Sequence, residues 1–104
     1  MKKGTIDLSE GLYVPAESGV QAKRQICSIQ MKSTDLSAET TFSLELSAGD
    51  GVWSAALDGS GEAVTGALVA NTPKLLSYEL DPALEYRVKF ASGNTGNISY
   101  IIME

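Results

Sequence analysis

The stretch Thr41–Leu57, TFSLELSAGDGVWSAAL, decides the fold of this chain. Apolar and polar residues alternate over Phe42–Ser47, which places the apolar side chains on one face of a β-strand. The segment Ala48–Gly51 supplies a turn, because glycine tolerates positive φ and aspartate hydrogen-bonds its own backbone. A second strand follows over Val52–Leu57, so the stretch predicts a two-faced β-hairpin.

Similar alternating segments recur along the 104-residue chain. The longest is Val20–Lys32, in which Cys27, Ile29 and Met31 are predicted to face a core. Further strands are predicted over residues 5–8, 11–14, 63–69, 75–80, 86–90 and 98–103, and the last two are expected to form a hairpin. About seven or eight short strands predict one all-β domain over residues 1–104, an antiparallel β-sandwich of immunoglobulin-like or jelly-roll type.

The charge pattern argues against nucleic acid as a partner. The formal net charge is −5, and nine acidic residues but one basic residue, Lys74, lie between Ser33 and Glu85. Phosphate groups would be repelled by this acidic middle. No segment approaches the ~20 apolar residues that span a bilayer, so no membrane partner is expected. Lys2 and Lys3 are not followed by an apolar signal segment, which predicts a cytoplasmic protein.

The residues needed for catalysis and metal binding are scarce. The chain has no histidine and one cysteine, Cys27, which is expected to be a buried, inert thiol. The spacing of Asp58, Ser60 and Glu62 resembles part of a calcium loop, but an ordinary turn is the favoured interpretation. A hydrolase that uses Asp50, Asp58 and Glu62 is the remaining enzymatic alternative. The prediction is a non-enzymatic protein with no catalytic residue, metal or cofactor.

Trp53 is the only tryptophan. Its alternation with Ala55 and Leu57 predicts a place in the core. The alternative is a carbohydrate-binding module, in which Trp53 and Asp50 form a platform that stacks against a sugar.

Two regions are candidate interfaces. The segment Met1–Val14 contains two short apolar pieces, and it is predicted to be either a docking arm that needs a partner surface or an edge strand of its own domain. The final strand is apolar on both faces, which is typical of a central strand or of one covered by a neighbouring subunit. The predicted interface residues are Ile6, Leu8, Leu12, Val14, Ile101 and Met103.

Five segments resemble a pattern in small virion proteins of tailed bacteriophages. In that pattern a strand of the type F-x-L-x-x-S meets a D-G-x-x-W turn, which reads D-G-V-W in this chain. A D-x-x-G turn follows, and Y-x-L-D-P-A-L leads into Y-R-V-K-F-x-S-G. These elements are Phe42–Ser47, Asp50–Trp53, Asp58–Gly61, Tyr78–Leu84 and Tyr86–Gly93. They cover about the C-terminal two-thirds of the chain, and Gly49 is an extra residue relative to the pattern.

The resemblance implies a structural protein of the virion. The first expectation is a capsid decoration protein, also called a cement protein, that binds copies of itself as a dimer or trimer and binds a shell protein. It would lie in the host cytoplasm before assembly and in the virion afterwards. A component of a head fibre, or a tail or neck appendage, is the alternative within the same class.

Overall fold

A computed structural model describes residues 1–103, which form ten β-strands and no helix. Sheet 1 contains β1 (Lys2–Asp7), β10 (Asn97–Met103), β4 (Ile26–Lys32) and β8 (Lys74–Glu79) in that order. Sheet 2 contains β2 (Tyr13–Val14), β9 (Glu85–Phe90), β5 (Thr40–Ser47) and β6 (Ser54–Ala55), with β3 (Val20–Gln21) also on β9 and β7 (Thr65–Leu68) also on β5. All the pairs are antiparallel. The prediction of an all-β sandwich is confirmed.

The core contains the inward-facing residues of both sheets. In β4 the predicted set of Cys27, Ile29 and Met31 is buried. The other sheet contributes Leu44, Val88 and Phe90 among other residues, and the rings of Phe42 and Phe90 lie 5.6 Å apart between centroids. Removal of this apolar area from water is the main force that holds the sheets together.

Two predicted strand assignments are wrong because the chain changes sheets. The run Val20–Lys32 is two strands: β3 lies in sheet 2 and β4 in sheet 1. The predicted C-terminal hairpin does not form either, since β9 lies in sheet 2 and β10 in sheet 1. Alternation shows which side chains point inward, but an inward-facing strand can belong to either sheet. The connection after Phe90 therefore crosses the sandwich.

Hydrogen bonds hold this crossing connection in place. Asn94 donates from Nδ2 to the hydroxyl oxygen of Thr40 at 2.6 Å. Asp35 accepts from the backbone and side-chain amides of Asn97 at 3.0 and 3.1 Å, and these bonds lower the pKa of its carboxyl group. The start of β10 is thus tied to the loop that precedes β5.

None of the described residues forms a helix that could cross a membrane.

Candidate functional site

The outer face of sheet 1 is the candidate functional site. The strand registers place Lys3, Ile101, Gln30 and Leu75 in one row across all four strands. In the next row Met103 lies opposite Ser28, and Ser28 lies opposite Ser77. The four strands therefore present a continuous surface on which apolar side chains are separated by small or uncharged polar ones.

This face, which we call the apolar face, is defined by Ile26, Leu75, Ile101 and Met103. Leu75 is 61% exposed and Ile26 is 49% exposed, while Ile101 and Met103 are partly exposed. The charged residues of this face lie toward its borders: Lys3, Asp7, Lys32 and Glu79. Arg24 is also close, since its Nη2 donates to the carbonyl of Met103 at 3.5 Å. An exposed apolar patch on a soluble domain is typical of a surface that binds another protein.

The outer face of sheet 2 has a different chemistry. Its outward positions on β5 and β9 include Ser43, Glu45, Arg87 and Lys89, and the register places Ser43 opposite Lys89 and Glu45 opposite Arg87. A polar sheet face of this kind is well solvated and gains little from burial. The strands β5 and β9 of sheet 2 therefore present charged pairs where the strands of sheet 1 present the apolar face, although Val52 and Leu57, in the segments that flank β6, are also exposed at 65% and 53%.

The N-terminal residues predicted as an interface are in the core of their own domain. Ile6, Leu8 and Val14 are 0–6% exposed, and Leu12 packs against the core. The docking-arm interpretation of residues 1–14 is corrected for these four side chains, because they already have partners within the chain. β1 is an edge strand of sheet 1, which is the other alternative that the sequence left open.

Ile101 and Met103 lie on the outer face of β10 and are partly exposed. β10 lies between β1 and β4, and the side chains of these two neighbouring strands partly cover its outward-facing residues. Leu75 and Ile26 were not predicted as members of the same surface. For Leu75 the sequence holds a signal: Leu75 and Leu76 are adjacent, so a strand must turn one of them outward. For Ile26 the register of β4 decides.

Trp53 is half-buried and lies outside the core, so the prediction that it packs in the core is wrong. Ala56 is the buried residue of this segment. Its amide donates to the carbonyl of Leu44, and its carbonyl accepts from the amide of Val64. Trp53, Ala55 and Leu57 therefore fall on the opposite face. A one-residue shift of phase is sufficient for this, because side chains alternate with a period of two.

The Trp53 ring stacks on a cation instead. The guanidinium carbon of Arg87 lies 4.1 Å from the Trp53 ring centroid and 4.0 Å from that of Tyr13. The Nε of the same arginine donates to Glu45 Oε1 at 2.8 Å. These four residues form what we call the arginine clamp. Their association was not predicted, because they come from separate parts of the sequence.

The predicted sugar platform of Trp53 and Asp50 is not formed as one surface cavity. Asp50 accepts from the amide of Val52 at 3.1 Å in the β5–β6 turn. The nearby cavity is lined by Asp50, Val52 and Leu46 among other residues, and Trp53 does not line it. Trp53 contacts Arg87 through one ring face, which leaves less of the ring for a ligand.

The other candidate groups, the Cys27 thiol and the Asp58 carboxylate, have structural roles within the chain. Burial raises the pKa of the Cys27 thiol to about 11, so the thiol stays protonated. Asp58 accepts from the amides of Ser60 and Glu62 at 2.8 and 3.1 Å, which is the geometry of an ordinary turn. Within residues 1–103, no group of three or more cysteine or acidic side chains is placed to hold a metal ion.

No family model, no curated protein and no solved structure matches this chain. The candidate functions therefore rest on the surface of the sandwich and on the chemistry of the residues on it.

Proposed function

We propose that this chain is a non-enzymatic structural protein of a bacteriophage virion, and specifically a capsid decoration protein. Its partners would be further copies of itself and a shell protein, and its place would be the virion after assembly in the host cytoplasm. The resemblance of residues 42–93 to small virion proteins supplies the class. The apolar face supplies the single structural observation that supports adhesion.

Contact between the apolar face and water is unfavourable in free energy. Ile26, Leu75, Ile101 and Met103 lie on regular strands, so a flat partner surface can cover them without rearrangement of the backbone. Burial of apolar area yields about 25 cal/mol per Å², which makes one such contact modest. Symmetric repetition over a shell multiplies modest contacts into avidity.

The test is the composition of virions. Particles induced from the host whose genome carries the coding sequence are purified, and the chain is sought by mass spectrometry. The wild-type chain should be present in many copies. The variant Ile101→Lys should fold and be lost from the particles, because a charge at the centre of the apolar face must be desolvated on binding. Lys89→Glu, on the outer face of sheet 2, is the matched control and should be retained.

Absence of the wild-type chain from purified particles would contradict the proposal. Equal retention of both variants would contradict the role of the apolar face. Electron microscopy of the same particles separates a decoration protein, spread over the shell, from a tail or neck appendage, confined to one vertex.

A carbohydrate-binding module is the second candidate, and the position of Trp53 outside the core, where its ring is half-buried, is the observation that favours it. Titration of the chain with cello- and chito-oligosaccharides, followed by tryptophan fluorescence, tests it directly. A ligand platform predicts a saturable change in Trp53 emission that is lost or weakened in Asp50→Ala. We expect no change, since Arg87 already covers one face of the ring.

A further inference from the structure

The strand β8 ends sheet 1, and no strand within residues 1–103 pairs with its outer edge. The amide of Leu80 donates to the carbonyl of Gln25 at 2.7 Å, and these residues continue the β4–β8 register by one pair. Between two antiparallel strands, every second pair of opposed residues exchanges two backbone hydrogen bonds, one in each direction. Lys74, Leu76 and Tyr78 therefore bond to β4, and the backbone groups of Leu75, Ser77 and Glu79 point away from the sheet.

The opposite edge of sheet 1 is protected and β8 is not. In β1 the Leu8 amide donates to the Gly96 carbonyl, and these residues continue the β1–β10 register by one pair. The backbone groups of Lys3, Thr5 and Asp7 therefore point outward from the sheet. Charged side chains on an edge strand hinder pairing with another strand, and β1 has three of them: Lys2, Lys3 and Asp7. In β8 the four central residues, Leu75–Tyr78, are uncharged.

The charges at the ends of β8 select the direction of pairing. The strand begins with Lys74 and ends with Glu79. A parallel copy would bring the two lysines together and the two glutamates together, whereas an antiparallel copy keeps like charges at opposite ends of the pair. The Tyr78 hydroxyl donates to the carbonyl of Leu57 at 2.7 Å, so the acidic turn that begins at Asp58 lies at the glutamate end. This turn adds negative charge where the second copy's lysine arrives.

We propose that the free edge of β8 binds the β8 strand of a second copy, antiparallel, about a two-fold axis at Ser77. In this register Ser77 faces Ser77 of the second copy, and Leu75 faces its Glu79. All three outward-pointing residues then exchange backbone bonds. Leu76 faces Tyr78 of the second copy on the inner side, which is a favourable apolar and aromatic pair. Two copies would form one eight-stranded sheet that carries both apolar faces on the same outer side, with Ser77 and Glu79 of each copy at the seam between them.

The inference deepens the proposed function, because it names the contact through which copies associate, and it rests on the self-association in that proposal. It also assigns a partner to each surface. The edge of β8 binds the second copy, and the apolar face stays available for the shell.

Cysteine cross-linking tests the register. Opposed residues that exchange both bonds have Cα atoms about 5.5 Å apart, which lies within the range of disulfides. Ser77→Cys should therefore form a disulfide-linked dimer in mild oxidant. Leu75→Cys should not, since its two copies would be displaced by four residues, about 13 Å along the strand. Thr5→Cys, at the equivalent place on the β1 edge, should not link either. Equal linking of all three would overturn the proposal.

Proline substitution tests the backbone contact. Ser77→Pro removes an outward-pointing amide that β4 does not use, whereas Ser77→Ala keeps that amide and loses only the hydroxyl. Light scattering behind a sizing column should give twice the 11.0 kDa chain mass for the wild type, for Ser77→Ala and for Thr5→Pro. It should give the single mass for Ser77→Pro, with an unchanged circular dichroism spectrum.

A wild-type chain that stays monomeric at its highest soluble concentration would overturn the edge pairing. If such a chain is nevertheless found in virions, the edge pairing fails and the proposed function stands. A dimer that survives Ser77→Pro would equally overturn the pairing. A β8-linked dimer that is absent from virions would support the pairing and contradict the virion role.

Discussion

At the residue scale, the arginine clamp shows how one side chain joins three parts of the chain. Arg87 contacts Tyr13, Trp53 and Glu45, and its side chain is 13% exposed. A cation–π contact contributes about 0.5–2 kcal/mol, more when it is desolvated. We expect Arg87→Ala to lower the free energy of unfolding by about 2 kcal/mol and to shift Trp53 emission to longer wavelength.

Urea unfolding followed by tryptophan fluorescence measures both effects. Lys89→Ala, the next outward residue on the same strand, is the control and should change stability by less than about 0.5 kcal/mol. A loss of equal size in both variants would show that the clamp adds nothing specific.

A second residue-scale prediction concerns pH. The pKa of the buried Cys27 thiol is raised from 9.0 to about 11, so the folded state favours the neutral thiol. The resulting stabilisation is complete below pH 9 and is lost as the pH rises through about 11. Urea midpoints between pH 8 and pH 11 should fall more steeply for the wild type than for Cys27→Ala. Parallel curves would contradict the assignment.

At the element scale, the pairing of β5 and β7 depends on the absence of a side chain at one position. Gly66 lies opposite Phe42, and a Cβ at Gly66 would lie 2.6 Å from the Cζ of that buried ring. Since Phe42 is buried and would have to move to accept this Cβ, we expect Gly66→Ala to cost about 1–3 kcal/mol of stability. Thermal unfolding is the measurement. Gly59→Ala is the matched control, because a Cβ there would contact nothing within 4 Å.

The elements also show where prediction from sequence stops. Inward-facing positions could be predicted in β4, β9 and β10, because one buried face imposes a period of two. The sheet to which each strand belongs could not, since β9 and β10 have the same pattern and lie in opposite sheets. Trp53 failed for a related reason: Trp53, Ala55 and Leu57 are as apolar as the buried Ala56, so composition does not decide the phase.

At the scale of the whole molecule, the N-terminal segment belongs to the fold. Ile6, Leu8 and Val14 fill the core from two different sheets, and β1 pairs with β10 along its whole length. Loss of three buried aliphatic side chains costs several kcal/mol, about the entire stability of a small domain. We therefore expect deletion of residues 1–14 to abolish cooperative thermal unfolding.

Calorimetry or circular dichroism on the shortened chain measures this, with Thr5→Pro as a full-length control that should keep a sharp transition. A folded, cooperative domain without residues 1–14 would restore the interpretation of this segment as a separable arm.

Several properties of the whole molecule follow from composition and local pattern alone. Residues that are close in sequence determine the all-β class, the inert thiol and the inward-facing residues of the longer strands. The signals are the alternation of apolar and polar residues, the turn-forming residues, and a single cysteine in an apolar strand. These need no knowledge of which strands meet.

Only the tertiary structure decided which surfaces are candidates for binding. The row Lys3, Ile101, Gln30 and Leu75 joins four separate strands, and the arginine clamp joins Tyr13 and Arg87 to the β5–β6 region that contains Glu45 and Trp53. The free edge of β8 exists because no other strand in the described chain pairs beyond it. Such juxtapositions arise from sheet order and register, which depend on the packing of the whole domain and are not encoded in the period of any one strand.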